Sequence, residues 1–192
     1  EQQAYFLGLL AADGSVAKTR NRITLVLQAQ DQDIVNLFAT TLGSTQLRNI
    51  PARGASGPKR HACVSSKQIK SDLARYGVTP CKTHTLVWLT LPHDLYPHFL
   101  RGYFDGDGSV NQYSVYLSAS SLSFLQAAQE HLATATPELI TYLYQQQETS
   151  VWYLKCKGRH GRTTFLNHIY TRATVCMERK FQKAYSTHKL AP

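Results

Sequence analysis

The sequence predicts an α+β chain of two pseudo-symmetric halves, each running helix–strand–strand–helix–strand–strand–helix. Two observations carry this expectation. First, one segment occurs twice, as FLGLLAADGSV at 6–16 and LRGYFDGDGSV at 100–110. Gly8/Gly102, Asp13/Asp107, Gly14/Gly108, Ser15/Ser109 and Val16/Val110 recur in register at an offset of 94, close to half of the 192 residues. Second, the same order of apolar patterns follows each copy. Two copies at half-chain spacing suggest a pair of domains, because solenoid repeats are much shorter.

The elements follow in order. Tyr5–Ala12 reads as a helix leading into Asp-Gly, and Arg22–Gln30 is β-prone. Ile34, Val35, Leu37, Phe38 and Leu42 are spaced for one apolar helix face, which Gly43 ends. Thr45–Ser66 reads as two strands around the Gly/Pro-rich turn PARGASGPKR, and Lys67–Tyr76 as a short helix before Gly77. In the second half Tyr113–Ala119 is β-prone and Ser121–Leu132 helical. Leu139–Tyr144 and Val151–Cys156 read as strands, then Thr163–Tyr170 and Thr174 to about Tyr185 as helices. LTLPHDLYP holds two prolines, so the expected division is 1–91, a linker at 92–97, and 98–192.

The repeated segment has a physical logic. Gly8 and Ala12 are four apart, as are Gly102 and Gly106, so each pair lies on one helix face. Gly inside a helix costs about 0.5–1 kcal/mol relative to Ala. A close approach of the two motif helices would account for it, since interaxial distance depends on side-chain size. Gly14 and Gly108 suit the left-handed position that ends a helix. That contact would bring Asp13 and Asp107 together at two helix C-termini. Both the helix dipole and the mutual repulsion then oppose ionisation. Divalent cations relieve both. An oxygen-only, carboxylate-poor site suits Mg²⁺ and the hydrolysis of phosphodiesters.

The bulk numbers agree with a nucleic-acid partner. The formal charge is +9, from 21 Lys+Arg against 12 Asp+Glu. Residues 1–94 carry 11 basic and 6 acidic groups, and 95–192 carry 10 and 6, so the excess is not a tail. A basic chain suggests a polyanion. No apolar run is long enough to span a bilayer, and no basic amphipathic helix argues for a membrane surface. Cys63, Cys81, Cys156 and Cys176 form no C-x-x-C pair. They read as reduced thiols, and with no signal-peptide pattern an intracellular protein is expected.

The two segments resemble the LAGLIDADG motif, and the chain is similar to double-motif LAGLIDADG homing endonucleases over its whole length. FLGLLAADG (6–14) and LRGYFDGDG (100–108) align to the nine letters. The resemblance implies αββαββα halves with saddle-shaped antiparallel sheets on the DNA major groove and a central pair of motif helices. It implies a monomer that makes a double-strand break in a long DNA site. It implies Asp13 and Asp107 as ligands of Mg²⁺ or Mn²⁺, helped by the Ala12 and Gly106 carbonyls, with Ca²⁺ binding without supporting cleavage. The sixth motif position, Ala11 in one copy and Asp105 in the other, is not the main ligand. The family's basic residues near the scissile phosphates map to Lys82 and to Lys180, with Arg179 beside it. Its water-positioning residue maps to Gln30, with Ser120 opposite.

The strands and turns also carry long polar side chains fit for a groove, where Arg reads guanine and Gln or Asn reads adenine. In the first half these are Lys18, Arg20, Arg22, Thr24, Gln28, Arg48, Asn49, Arg53, Lys59, Arg60 and His61. In the second they are Asn111, Gln112, Tyr113, Gln145, Gln146, Gln147, Lys155, Lys157, Arg159 and Arg162. The alternative expectation is a nucleic-acid-binding protein of the same fold without catalysis, as an intron RNA maturase or a transcriptional regulator. A third, an intein-derived domain, is disfavoured because no splicing-block Cys at the start or His-Asn at the end is visible.

Overall fold

The computed structural model describes residues 1–44, 46–147 and 149–186. The first half comprises α1 (Gln2–Ala12), β1 (Ser15–Val16), β2 (Arg22–Gln28), α2 (Gln32–Thr41), β3 (Gln46–Ile50), β4 (Lys59–Ser65) and α3 (Lys67–Arg75). The second comprises α4 (Tyr96–Asp107), β5 (Gly108–Val110), β6 (Ser114–Ala119), α5 (Leu122–Ala135), β7 (Thr141–Gln145), β8 (Trp152–Lys157) and α6 (Gly158–Tyr170), followed by α7 (Glu178–Ser186). The fold is α+β, with two antiparallel four-stranded sheets ordered β1-β2-β4-β3 and β5-β6-β8-β7. The αββαββα order therefore holds in both halves.

Local chemistry explains the boundaries. Gly43 (φ 66°) and Gly77 (φ 72°) stand just past α2 and α3 in the left-handed region that favours glycine. Ser66 caps α3 by accepting from the Ile69 N–H at 3.2 Å, and Ser121 caps α5 by accepting from Phe124. The expected β-stretch 22–30 ends at Gln28, because Ala29–Asp31 turns as a short 3-10 helix. The last two helices differ from expectation at their starts. α6 begins five residues early, at Gly158, where a φ of 84° lets the strand break directly into helix. α7 begins at Glu178 instead of Thr174, because residues 171–177 run as a loop over the second motif helix. α4 starts at Tyr96, inside the stretch read as a linker. Thr45, Glu148 and the last six residues, 187–192, lie outside the described residues.

The two motif helices pack against each other as the glycine spacing predicts. A Cβ added to Gly8 would sit 2.0 Å from the Phe99 carbonyl oxygen, and one on Gly102 would sit 1.9 Å from that of Tyr5. The contact is reciprocal, since Phe99 and Tyr5 are themselves 94 apart. Gly14 and Gly108 behave differently from expectation. Neither adopts a positive φ, and Gly108 is extended at φ −89° and ψ 158°. Glycine is needed there for space, because a Cβ would lie 2.5 Å from Leu10 Cδ2 at Gly14 and 2.1 Å from Phe104 Cδ2 at Gly108. One apolar core joins α1 and α4 to the helix-facing sides of both sheets.

Candidate active site

The helix contact sets the positions of the motif acids. Asp13 closes α1, and Asp107 is the last residue of α4. A Cβ at Gly106 would come within 3.3 Å of Asp13 Oδ2, so the first carboxylate lies against the second motif. The site opens into two pockets with crossed membership. One, of about 210 Å³, is lined by Asp107, Ala12, Lys82, Tyr103, Ser118 and Ser120 among others. The other, of about 220 Å³, is lined by Asp13, Gly106, Gln28, Asp31, Lys59 and Arg179 among others. Each pocket thus takes the acid of one copy and the preceding small residue of the other.

The electrostatics follow from burial and crowding. Asp107 is pushed up to about 6, first by burial and then by Asp13, against the pull of Lys180 and Lys82. Burial also raises Asp13, against the same two lysines, although its side chain still reaches solvent. Lys82 is lowered by burial, and the fields of Asp107 and Asp13 resist that shift. Lys180 is lowered by burial to about 8. Two carboxyls held above their usual range are poorly satisfied as neighbours and suited to a shared cation.

The two lysines occupy equivalent places. Lys82 Nζ donates to the carbonyls of Ala12 (3.3 Å) and Gly14 (2.7 Å). Lys180 Nζ donates to Gly106 (3.1 Å) and Gly108 (2.6 Å), their counterparts, and to Phe104 (2.7 Å). Both cap a motif helix at its negative end. An ammonium has three N–H donors. Lys180, only 9% exposed, spends all three on carbonyls, while Lys82 keeps one free. With its three donors engaged in this way, Lys180 bears on Asp13 and Asp107 through its charge.

Asp105, which stands where the first copy has Ala11, is buried under the site. It accepts from the hydroxyls of Tyr5 and Tyr170, both at 2.8 Å, and from the Met177 N–H at 2.6 Å. These bonds tie α1, α4, α6 and the approach to α7 together. Burial raises its carboxyl to about 6 against those donors. Arg179 forks onto Asp31 at 2.9–3.3 Å, joining α7 to the first half. Neither Asp31 nor Lys70 carries a local sequence signal for these contacts. Lys70 Nζ clamps the β1–β2 loop through the carbonyls of Ala17, Lys18 and Arg20.

Gln30 needs correction. Val16 pairs with Ile23 and Val110 with Val115, so the second strands align at an offset of 92, and Ser120 corresponds to Gln28. Gln28 lines the Asp13 pocket and Ser120 the Asp107 pocket, whereas Gln30 is exposed on the 3-10 turn. A sequence offset taken from the helices alone misses this shift.

Strand register sorts the expected DNA-contacting residues. Directly paired residues share a face. Arg22, Thr24, Gln28, Arg48, Lys59 and His61 share the open face of the first sheet. His61 is held low by its burial and by Arg48. Asn49 and Arg60 pair on the helix-facing side, where Arg60 donates to Asn36 (3.1 Å) and Asn49 (2.8 Å), so they do not line the open face. In the second sheet Lys155 and Lys157 are on the open face, while Gln145 pairs with Trp152 on the other. Arg162 is a further correction. It is 3% exposed and donates to the carbonyls of Asn111 (3.1 Å) and Ala184, which makes it a strut between turn and α7. Asn111 accepts from Tyr113 and Ser114, shaping that turn, and Arg159 lies over the Tyr113 ring at 5.7 Å. Lys18, Arg20, Arg53, Gln112, Gln146 and Gln147 are exposed.

Comparison with known proteins places this arrangement. Residues 94–170 match the model of the LAGLIDADG-like domain. No curated protein matches the sequence. Among solved structures, the N-terminal LAGLIDADG domain of DUF199/WhiA superposes with a TM-score of 0.62 at 13% identity, covering 91% of this chain and 83% of that one. The homing endonuclease I-DmoI in complex with DNA and Mn superposes at 0.62 and 14% identity, covering 88% and 96%. I-DmoI in complex with DNA and Ca gives 0.59 and 13%, covering 88% of each. These identities speak to fold alone. No helix among the described residues is long and apolar enough to cross a membrane. The family-model match over residues 94–170 marks the second half as a LAGLIDADG-like domain, and the chain as a whole shares the fold of the DUF199/WhiA LAGLIDADG domain and of I-DmoI.

Proposed function

We propose that the chain is a site-specific endonuclease that hydrolyses phosphodiester bonds in both strands of a long duplex DNA target. The observation that carries this reading is the crossed pair of pockets, each with one motif carboxylate. A protein that only bound DNA would gain nothing from two desolvated, mutually repelling acids. The donor set fits a hard divalent cation: Asp13 and Asp107, with the Ala12 and Gly106 carbonyls, each of which has a second lone pair beside its lysine bond. Mg²⁺ or Mn²⁺ there would supply an activated water and charge stabilisation for the leaving oxygen, and Ca²⁺ is expected to bind without supporting cleavage. Lys82 has one N–H to offer a phosphate oxygen. Ser120 and Gln28 are placed to orient water in the two pockets. The open face of the first sheet, with Arg22, Arg48 and His61, would meet the duplex, and the open face of the second adds the cations Lys155 and Lys157 for phosphates. One chain holds both motifs, so a monomer suffices.

A plasmid library with random inserts, incubated with Mg²⁺ or with EDTA, tests this. Wild type should linearise a subset of members with Mg²⁺ only, and Asp13→Asn or Asp107→Asn should abolish that while preserving duplex binding. Full cutting by Asp107→Asn would remove the metal-ligand role.

The second reading is a non-cleaving binder of the same fold. The saturated donors of Lys180 favour it, because they leave one pocket without a free lysine. The fold is shared equally with the DUF199/WhiA domain and with I-DmoI, so the fold by itself does not choose between the two readings. Retained duplex binding with no cut member in the library would select this reading.

A further inference from the structure

The two open sheet faces differ in kind. The first carries Arg, Thr, Gln, Lys and His side chains and no phenyl, phenol or indole ring. The second carries Tyr116, Tyr142, Tyr144 and Tyr153, with Lys155 and Lys157 between and beside them. Tyrosine is enriched in strands generally. Yet no tyrosine of this sheet is on the helix-facing side. Tyr144 and Tyr153 face each other across β7 and β8, stacked at 5.4 Å and 16°. Lys155 Nζ lies 5.3 Å over the Tyr116 ring. Tyr142 is 49% exposed and Tyr144 41%. Among the described residues of this face none is acidic.

We propose that this tyrosine face is a stacking platform for unpaired bases of a single-stranded nucleic acid. A base inside a duplex has both faces covered by its neighbours and offers only its edges. A ring lying on a sheet surface can therefore stack on a base only where bases are unpaired, unless it wedges a base step apart. Tyr142 and Tyr144 stand two residues apart on one strand, about 6.7 Å at the usual rise, which gives separate seats to separate bases. Lys155, Lys157 and, at the end of the sheet, Arg159 supply cations for the phosphates. The first sheet has hydrogen-bonding groups for base edges and the second has rings for base faces. The chain would then bind a site that is paired on one side and opened on the other. This inference rests on the reading of the open faces as nucleic-acid surface, and its test keeps the two apart.

Fluorescence anisotropy of the full chain at one fixed salt concentration is the test. The probes are a labelled pyrimidine-rich single strand, as DNA and as RNA, and the blunt DNA duplex of the same sequence. Tyr142→Leu and Tyr144→Leu should each weaken single-strand binding about tenfold and change duplex binding less than twofold. Tyr144→Phe, which keeps the ring, should bind the single strand as wild type does. The tighter of the DNA and RNA strands identifies the natural source. Unchanged single-strand binding in the Leu variants would overturn the proposal, as would equal weakening on duplex. So would loss in Tyr144→Phe matching that in Tyr144→Leu, which would assign the phenol oxygen to a base edge. Failure to cut any member of the plasmid library with Mg²⁺, with single-strand binding intact and ring-dependent, would sink the endonuclease reading and leave this one standing.

Discussion

Replacing Gly8 by Ala puts a methyl group 2.0 Å from the Phe99 carbonyl oxygen and 2.8 Å from the Tyr103 nitrogen. Both are backbone atoms of a helix, so no side chain can rotate away. The helices must separate by more than about 1 Å to restore an ordinary contact, which places the cost at the upper part of the roughly 1–3 kcal/mol range for overpacking. The intrinsic preference of a helix for Ala returns about 0.5–1 kcal/mol. The net expectation is a loss of about 2 kcal/mol, which for a chain of this size lowers the thermal midpoint by about 4–8 °C. Differential scanning calorimetry against wild type reads this directly. Gly57→Ala is the control, since its nearest neighbour would be Gln28 Oε1 at 3.5 Å, and it should shift the midpoint by less than about 2 °C. A Gly8→Ala protein as stable as wild type would refute the close contact that sets the site.

Three other outcomes follow from the same structure. Arg179→Ala leaves Asp31, whose side chain is 3% exposed, without its guanidinium, and should cost about 2 kcal/mol in urea unfolding once the solvent exposure of Arg179 is allowed for; Arg179→Lys should recover part, because it keeps the charge and loses the fork. In EDTA at neutral pH, Asp107→Asn should raise stability by about 1 kcal/mol, because a carboxyl held near 6 costs stability as pH rises from its unfolded value through 6; a destabilised variant would contradict the crowding of the acids. The His131 ring packs against Tyr96 at 4.2 Å, tilted by 42°, and its pKa is lowered to about 4, first by burial and then by His168 and His93. Its contribution is complete above about 6.5 and is lost as pH falls towards 4, so His131→Phe should gain about 1–2 kcal/mol on wild type between pH 7 and 4.5; parallel pH profiles would exclude His131 as the source.

The features legible in the sequence were those with a local or repeated signature. Gly8 and Gly102 could be read because small residues four apart occurred in both copies. The amphipathic α2 and its stop at Gly43 could be read from spacing. Other features depended on information a single line of residues does not hold. Gly14 and Gly108 look like left-handed caps because glycine answers two needs, unusual φ and missing volume, and only the packing of Leu10 and Phe104 tells which. Asn49 and Arg60 read as groove residues because they are long and polar, and only strand register tells which face each occupies. Gln30 reads as the counterpart of Ser120 in sequence because the 3-10 turn at Ala29–Asp31, which changes the offset between halves, leaves no signal there. Lys180 was found, but the three carbonyls that occupy it lie more than 70 residues away. The Arg179–Asp31 pair spans 148 residues and has no sequence signal at all.

Asp13 and Asp107 stand together at the ends of the motif helices, and the role proposed for the pair is to hold a divalent cation. The direct measurement is Mn²⁺ uptake by electron paramagnetic resonance, comparing wild type with the Asp13→Asn/Asp107→Asn double variant at pH 7.5. Wild type should take up Mn²⁺, Mg²⁺ should compete for it, and the double variant should leave the ion free. Equal uptake by both proteins would contradict the account.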